Sequence, residues 1–131
     1  MRTNKQTLVK NDIDMDLAIN TDYINDELMD QPLLYRKWAE MSSQANKNVK
    51  IVNSRLDRIK AKYHLLFSKE GLKVKEVESK VLLAEEVQQI EEELFKAEQL
   101  AEDLKGVVQA FRQRHESLRE LSTNIRKEIE D

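Results

Sequence analysis

His64 and His115 are the only imidazoles in the chain, and cysteine is absent. A metal site or a nucleophilic catalyst needs converging groups of different kinds, and neither histidine has a second His or a Cys at ligand spacing. His115 falls on an apolar repeat, which reads as a packed or interfacial ring rather than a ligand. The carboxylates Glu85, Glu86, Glu91, Glu92, Glu93, Glu98, Glu102 and Asp103 are spread over the outer positions of one helical repeat, the pattern of a solvated face. Gly71 and Gly106 are the only glycines, so the chain has no Gly-rich loop with which to cradle a phosphate. No catalytic residues, no metal and no cofactor are expected, and the chain reads as a non-enzyme.

The cations are better ordered. Arg36, Lys37, Lys47, Lys50, Arg55, Arg58, Lys62 and Lys69 recur so as to share the side of a helix opposite its apolar arc, while Lys60 lies off that stripe. Glu40 and Asp57 are the only acids between Arg36 and Lys69. A helix that merely needs to stay in solution interleaves both signs, so the self-repulsion points to an anionic ligand. Contacts from such a stripe to phosphate would be electrostatic and insensitive to sequence. Tyr63 and Phe67 lie beside it and are able to stack on unpaired bases, although Tyr63 also continues the apolar repeat.

The elements that must carry these groups follow from periodicity. Apolar residues recur at Leu34, Trp38, Met41, Ala45, Val49, Val52, Leu56, Ile59, Tyr63 and Leu66, all within one arc at about 100° per residue. Pro32, preceded by Asp30 and Gln31, predicts the helix start, because its missing N–H has no partner in a first turn. Lys69 and Gly71 predict the end, near residue 70. A second repeat runs Leu83, Val87, Ile90, Leu94, Ala97, Ala101, Leu104, Val108, Phe111, His115 and Leu118, then Leu121, Ile125 and Ile129. Five heptads of this kind predict a coiled-coil-like helix over about 73–130, starting at Ser79 or nearer Leu72 and running through Gly106 with or without a bend. Residues 1–31 lack a sustained period and read as an acidic, partly ordered arm, with a turn capped by Asn20 or Thr21; residues 32–131 form the helical domain.

Composition supports an all-α chain of elongated helices. Two glycines, one proline and 5% aromatics leave few turns and few large core residues, whereas 36% of residues are charged, the bias of long-helix proteins. The net charge of -3 conceals three blocks: 3 basic and 7 acidic residues over 1–30, 12 and 5 over 31–80, and 7 and 13 over 81–131. A basic island between acidic ends fits a polyanionic ligand or pairing between segments of neighbouring chains. No apolar run approaches the roughly 18 residues of a membrane span, and residues 1–10 lack the apolar stretch of a signal peptide. A cytoplasmic protein is expected. The second helix outruns the first, so part of its seam, with Leu83, Val87, Ile90, Leu94, Leu104, Val108 and Phe111, is expected to face another copy in an oligomer or a partner, unless the chain folds back at Gly106.

Several of these residues form a pattern that resembles the recombination mediator proteins of T4-like bacteriophages (the UvsY type). Leu34-Tyr35-Arg36-Lys37-Trp38 is similar to that family's Leu-Tyr-x-Lys-Trp element and is followed by the pair Ser42 and Ser43. Lys60-Ala61-Lys62 is similar to the head of the family's basic and aromatic motif, and the likeness continues through Lys80-Val81-Leu82 into the last helix, covering roughly residues 12–127. The resemblance implies a ring-like homo-oligomer that binds single-stranded DNA and helps a RecA-like recombinase load onto DNA covered by single-strand-binding protein, in the cytoplasm of an infected bacterium if the chain is phage-encoded. It implies that Lys60 and Lys62, supported by Arg58, contact phosphates; with the rest of the stripe the candidate DNA-binding set is Lys47, Lys50, Arg55, Arg58, Lys60, Lys62 and Lys69. The family's paired tyrosines followed by Ser-Gly are here Leu65-Leu66-Phe67-Ser68, with Gly71 later. That departure bears on base stacking and not on phosphate contact. The rival reading is a coiled-coil scaffold or assembly subunit that binds protein partners.

Overall fold

The structure, a computed structural model, describes residues 12–130. Residues 12–17 are helical (α1); a 3-10 turn, Thr21–Tyr23, leads into α2 (Ile24–Ser68), which is followed by α3 (Val74–Leu83) and α4 (Glu85–Glu130). Among the described residues there is no strand, and the fold is all-α. The chain separates into two compact units: one contains the chain up to Ser42 and from Leu104 onward, the other is Ser43–Asp103.

In the first unit α1, the start of α2 and the second half of α4 pack around Trp38 and Phe111, whose rings stack at 6.2 Å between centroids. Ile24, Leu104 and Leu118 complete the apolar core. The Trp38 indole N–H donates to Asp16 Oδ2 at 2.9 Å, and Lys37 Nζ reaches the same oxygen at 2.7 Å, so one α1 carboxylate satisfies a partly buried donor and a cation together. Arg114, only 4% exposed, donates to the carbonyls of Leu17 and Ala18 at 3.3 and 3.1 Å and to Gln31 Oε1 at 2.6 Å, and it pairs with Glu27. Gln31, itself buried, donates to the Phe111 carbonyl at 2.7 Å.

These contacts explain why α2 starts eight residues before the expected position and why residues 12–31, part of the expected arm, pack with the helices of the first unit. Asn20 accepts from the Asp22 N–H at 3.0 Å and caps the 3-10 turn, which leads directly into α2. Asp26 and Glu27 stand in the first turn of α2, where the helix dipole favours anions. Pro32 lies inside the helix and forfeits one backbone hydrogen bond; the tertiary anchors Ile24, Glu27 and Gln31 outweigh that loss. The part of the arm before residue 12 lies outside the described residues.

The second unit is built from the rest of α2, all of α3 and the first part of α4. Val52, Leu56, Val77, Val81, Val87 and Ile90 form its core, with Ile59, Tyr63, Phe67, Leu72, Ala84 and Leu94 packed against them. The helix expected over 73–130 is broken at Ala84, which is extended (φ -61°, ψ 130°). Phase accounts for the break: in one continuous helix Val77 and Val81 would lie on the side away from Ile90, and the extended residue brings all three into one core. Leu83 thereby ends α3 at 72% exposure and does not begin the α4 seam. Phe67 takes the seam position expected of Leu66, which is exposed. Gly71 adopts φ 77°, a left-handed position that favours glycine, and turns the chain after α2.

The second seam departs from the expected repeat at several positions. His115 is exposed and Arg114 occupies its place; Ile125 and Ile129 are exposed at the end of α4. Val87, Ile90, Leu104 and Phe111, expected between copies, are buried within this chain, and Leu94 and Val108 are half-buried. The long helices contain 45 and 46 residues, about 68 Å each, so the mismatch that called for another copy to cover the seam disappears. α4 is helical without interruption through Gly106.

Candidate nucleic-acid interface

The apolar repeat that buries Val52 and Leu56 leaves the opposite side of α2 to solvent, and on it stand Lys47, Lys50, Arg55, Arg58 and Lys62, all exposed. Lys50, Ile51, Ser54, Arg55 and Arg58 line a shallow depression on this side. Arg55 Nη1 donates to Glu93 Oε2 of α4 at 3.3 Å. Among the described residues Lys47, Lys50, Arg58 and Lys62 form no ion pair. Lys62 Nζ sits 5.6 Å from the centre of the Tyr63 ring, a cation over an aromatic face.

Lys60 does not join them. Residues two apart on an α-helix lie about 200° apart around its axis, so Arg58 and Lys62 share a side and Lys60 opposes both. Its ammonium lies 3.7 Å from Glu91 Oε1. Lys69 follows the last residue of α2, its N–H still donating to the Leu65 carbonyl at 3.4 Å. Arg36 and Lys37, in the first unit, are paired with Glu40 and Asp16. The sequence-expected set therefore reduces to a five-cation stripe, a separate Lys60 and a Lys69 at the helix end.

Tyr63 and Phe67 stack at 5.8 Å between centroids. Both are half-buried against the second-unit core, as the apolar reading of Tyr63 requires. The Tyr63 hydroxyl donates to Glu86 Oε2 at 3.0 Å; that hydrogen bond, with some desolvation and the negative charge of Glu86, raises the phenol above its ordinary value. Lys80 of α3 lies 5.5 Å from the Phe67 ring centre and 3.1 Å from Glu70 Oε2. It is a cation beside the aromatic pair that spacing along α2 could not reveal, since it comes from another helix. No group of three His, Cys, Asp or Glu side chains able to hold a metal ion exists among the described residues, and none of the described helices is long and apolar enough to cross a membrane.

Fold and stripe together describe an all-α protein with a cationic outer side on α2. The fold has a solved counterpart: the crystal structure of the bacteriophage T4 recombination mediator protein UvsY superposes with a TM-score of 0.81, covering 92% of this chain and 95% of that one at 15% sequence identity. The likeness anticipated from Leu34–Trp38 and Lys60–Lys62 is thus one of fold over nearly the whole chain. No protein-family model matches the sequence, and no curated protein matches it.

Proposed function

We propose that this chain is a recombination mediator: a homo-oligomeric protein that binds single-stranded DNA without sequence specificity and helps a RecA-like recombinase replace single-strand-binding protein on it. The observation that carries this reading is the stripe of Lys47, Lys50, Arg58 and Lys62 on the outer side of α2, without ion-pair partners among the described residues. Unpaired like charges on one helix repel, and a chain of phosphates relieves that repulsion while releasing its own counterions. The fold shared with the T4 mediator supports the same reading.

No bond is made or broken in this role. Arg55 exchanges Glu93 for phosphate and completes the stripe; Lys60, held by Glu91 on the other side, contributes least. Several stripes in one homo-oligomer act at a high effective concentration, which retains a strand through individually weak contacts. A protein working on DNA in this way acts in the cytoplasm, that of an infected bacterium if the chain is phage-encoded. Fluorescence anisotropy of a labelled oligonucleotide across a salt series tests the proposal. With about five phosphates neutralised per protomer, the log-log slope is about -3.5 per protomer. A salt-independent affinity, or tighter binding to duplex than to single strands, overturns it.

A further inference from the structure

No residue of α1 is buried: Ile13, Asp16 and Leu17 are half-buried, while Asp12, Asp14 and Met15 are exposed. The buried apolar core of the first unit, with Ile24, Trp38, Leu104, Phe111 and Leu118, comes from α2 and α4 alone. A helix of six residues, three of them aspartate, does not hold its shape by itself. α1 is therefore kept in place by its fastenings, and the chief ones are polar. Asp16 Oδ2 accepts from the Trp38 indole N–H at 2.9 Å and from Lys37 Nζ at 2.7 Å. The carbonyls of Leu17 and Ala18 accept from Arg114 at 3.3 and 3.1 Å.

The groups that hold α1 do not depend on it. Arg114 keeps its ion pair with Glu27 and its bond to Gln31, both on α2, so the departure of α1 leaves no buried charge unpaired. Lys37 rests 5.0 Å from the centre of the Trp38 ring with its side chain 47% exposed, and water replaces the carboxylate at both donors. Ala18, Ile19 and Asn20 belong to no helix, and Asn20 caps the 3-10 turn through the Asp22 N–H. The chain thus has a pivot at Ala18 and Ile19 that leaves the entry to α2 intact. We propose that α1 is a salt-sensitive strap: it lifts from the first unit as one piece while α2 and α4 stay packed on each other, uncovering the indole edge of Trp38 and freeing Lys37. Segments with few buried contacts are the ones that open locally. Salt favours the open form because the Asp16–Lys37 pair is partly exposed and so is screened.

Hydrogen exchange of the unaltered full chain, resolved to single amides and corrected for intrinsic rates, tests the strap. The Ala18 N–H donates to the Asp14 carbonyl at 3.1 Å and reports α1; the Trp38 and Phe111 amides report α2 and α4. Ala18 is expected to exchange many-fold faster than the other two, at a rate that low urea leaves unchanged and that rises severalfold from low to high salt. Exchange of Ala18 in step with Trp38 and Phe111, with the same urea dependence, would mean that α1 opens only when the whole unit unfolds, and overturns the proposal. Asp16→Asn keeps an acceptor for the indole and removes the charge. It is expected to speed Ala18 exchange severalfold, to abolish the salt effect and to shift the emission of Trp38, the only tryptophan, to the red, with the Trp38 and Phe111 amides still protected. A salt-independent Ala18 rate in the unaltered chain, or no effect of Asp16→Asn on that rate, overturns the ionic fastening. Loss of protection at Trp38 and Phe111 together with Ala18 makes α1 part of the core and overturns the strap.

Discussion

Arg114 of α4 and Glu27 of α2 form an ion pair in the interior of the first unit, the guanidinium being almost inaccessible to solvent and the carboxylate only partly exposed. The same guanidinium also holds the carbonyls of Leu17 and Ala18, just after α1, and the amide oxygen of Gln31. Its donors are thus distributed over a charge, a side-chain amide and two backbone groups that α1 leaves unpaired at its end. Desolvating such a pair is costly, and what makes it tolerable is this completeness.

Removing one partner exposes the cost. Arg114→Met strands Glu27 and three acceptors and is expected to lower the unfolding free energy by about 3–5 kcal/mol, measured by urea denaturation. Glu27→Gln, which keeps a hydrogen-bond acceptor beside the guanidinium, is expected to cost less. Equal stability of Arg114→Met and wild type would mean that α1 is not fastened to α4 in this way.

Phe111 and Leu83 separate a core seam from an exposed one. Phe111 is fully buried against Trp38, whereas Leu83 ends α3 in solvent. Phe111→Ala is expected to cost about 3–5 kcal/mol, and Leu83→Ala to stay within about 0.5 kcal/mol. The Phe111→Ala loss, relative to wild type, is expected to be the same at every protein concentration, as befits a contact within one chain. A loss that grows on dilution would return Phe111 to the surface between copies.

The apolar periodicity made the two long helices legible, since Trp38, Ala45, Val52 and Leu56 on α2 and Val87, Ile90 and Leu104 on α4 are all buried where their spacing puts them. What it could not show is how the helices end. Pro32 is a local start signal, yet α2 starts earlier because Ile24 and Gln31 gain burial in the first unit. Ala84 has no breaker chemistry, and the only trace of the break was that Val77 and Val81 are out of phase with the repeat through Val87. Arg114 and His115 are equally good continuations of the step from Phe111, and the choice between them depended on Glu27, far away in sequence. The basic stripe was readable because one helix carries all of it; the pairing of Lys60 with Glu91 was not, because it depends on which side of α2 meets α4.

Gly71 occupies a left-handed backbone position with open space where a Cβ would project. Gly71→Ala therefore meets backbone strain and no steric clash, and is expected to cost about 1 kcal/mol. Thermal or urea unfolding of the two proteins measures it; a neutral or stabilising substitution would show that the turn between α2 and α3 relaxes freely.

The hydrogen bond from Tyr63 to Glu86 gives a spectroscopic signature. It holds the phenol in its protonated form, so this tyrosine ionises at higher pH than an ordinary one. Because the folded value is the raised one, any contribution of the bond to stability is present below the unfolded value and is lost as pH rises through the folded value. Comparing tyrosinate absorbance of wild type and Tyr63→Phe isolates the residue among three tyrosines. Glu86→Gln is expected to bring the transition back towards the ordinary range, and no change would remove the interaction from the account.

Arg58 and Lys60 are expected to part company in DNA binding although they stand two residues apart. Arg58 lies on the outer stripe with Lys62, without an ion pair among the described residues; Lys60 projects from the other side, towards Glu91. A strand following the stripe gains the full counterion release from Arg58, whereas recruiting Lys60 would require it to leave a carboxylate and reach around the helix. Arg58→Ala is therefore expected to weaken binding to all sequences alike and to make the log-log salt slope shallower by about 0.7 per protomer. Lys60→Ala is expected to leave the slope unchanged, and its effect on stability to stay within the ~0–1 kcal/mol of an exposed pair. Anisotropy titrations of both variants at several salt concentrations, with helicity checked by circular dichroism, give the comparison. If Lys60→Ala flattens the slope as much as Arg58→Ala, the strand does not follow the outer side of α2, and the interface must be redrawn along the edge where α2 meets α4.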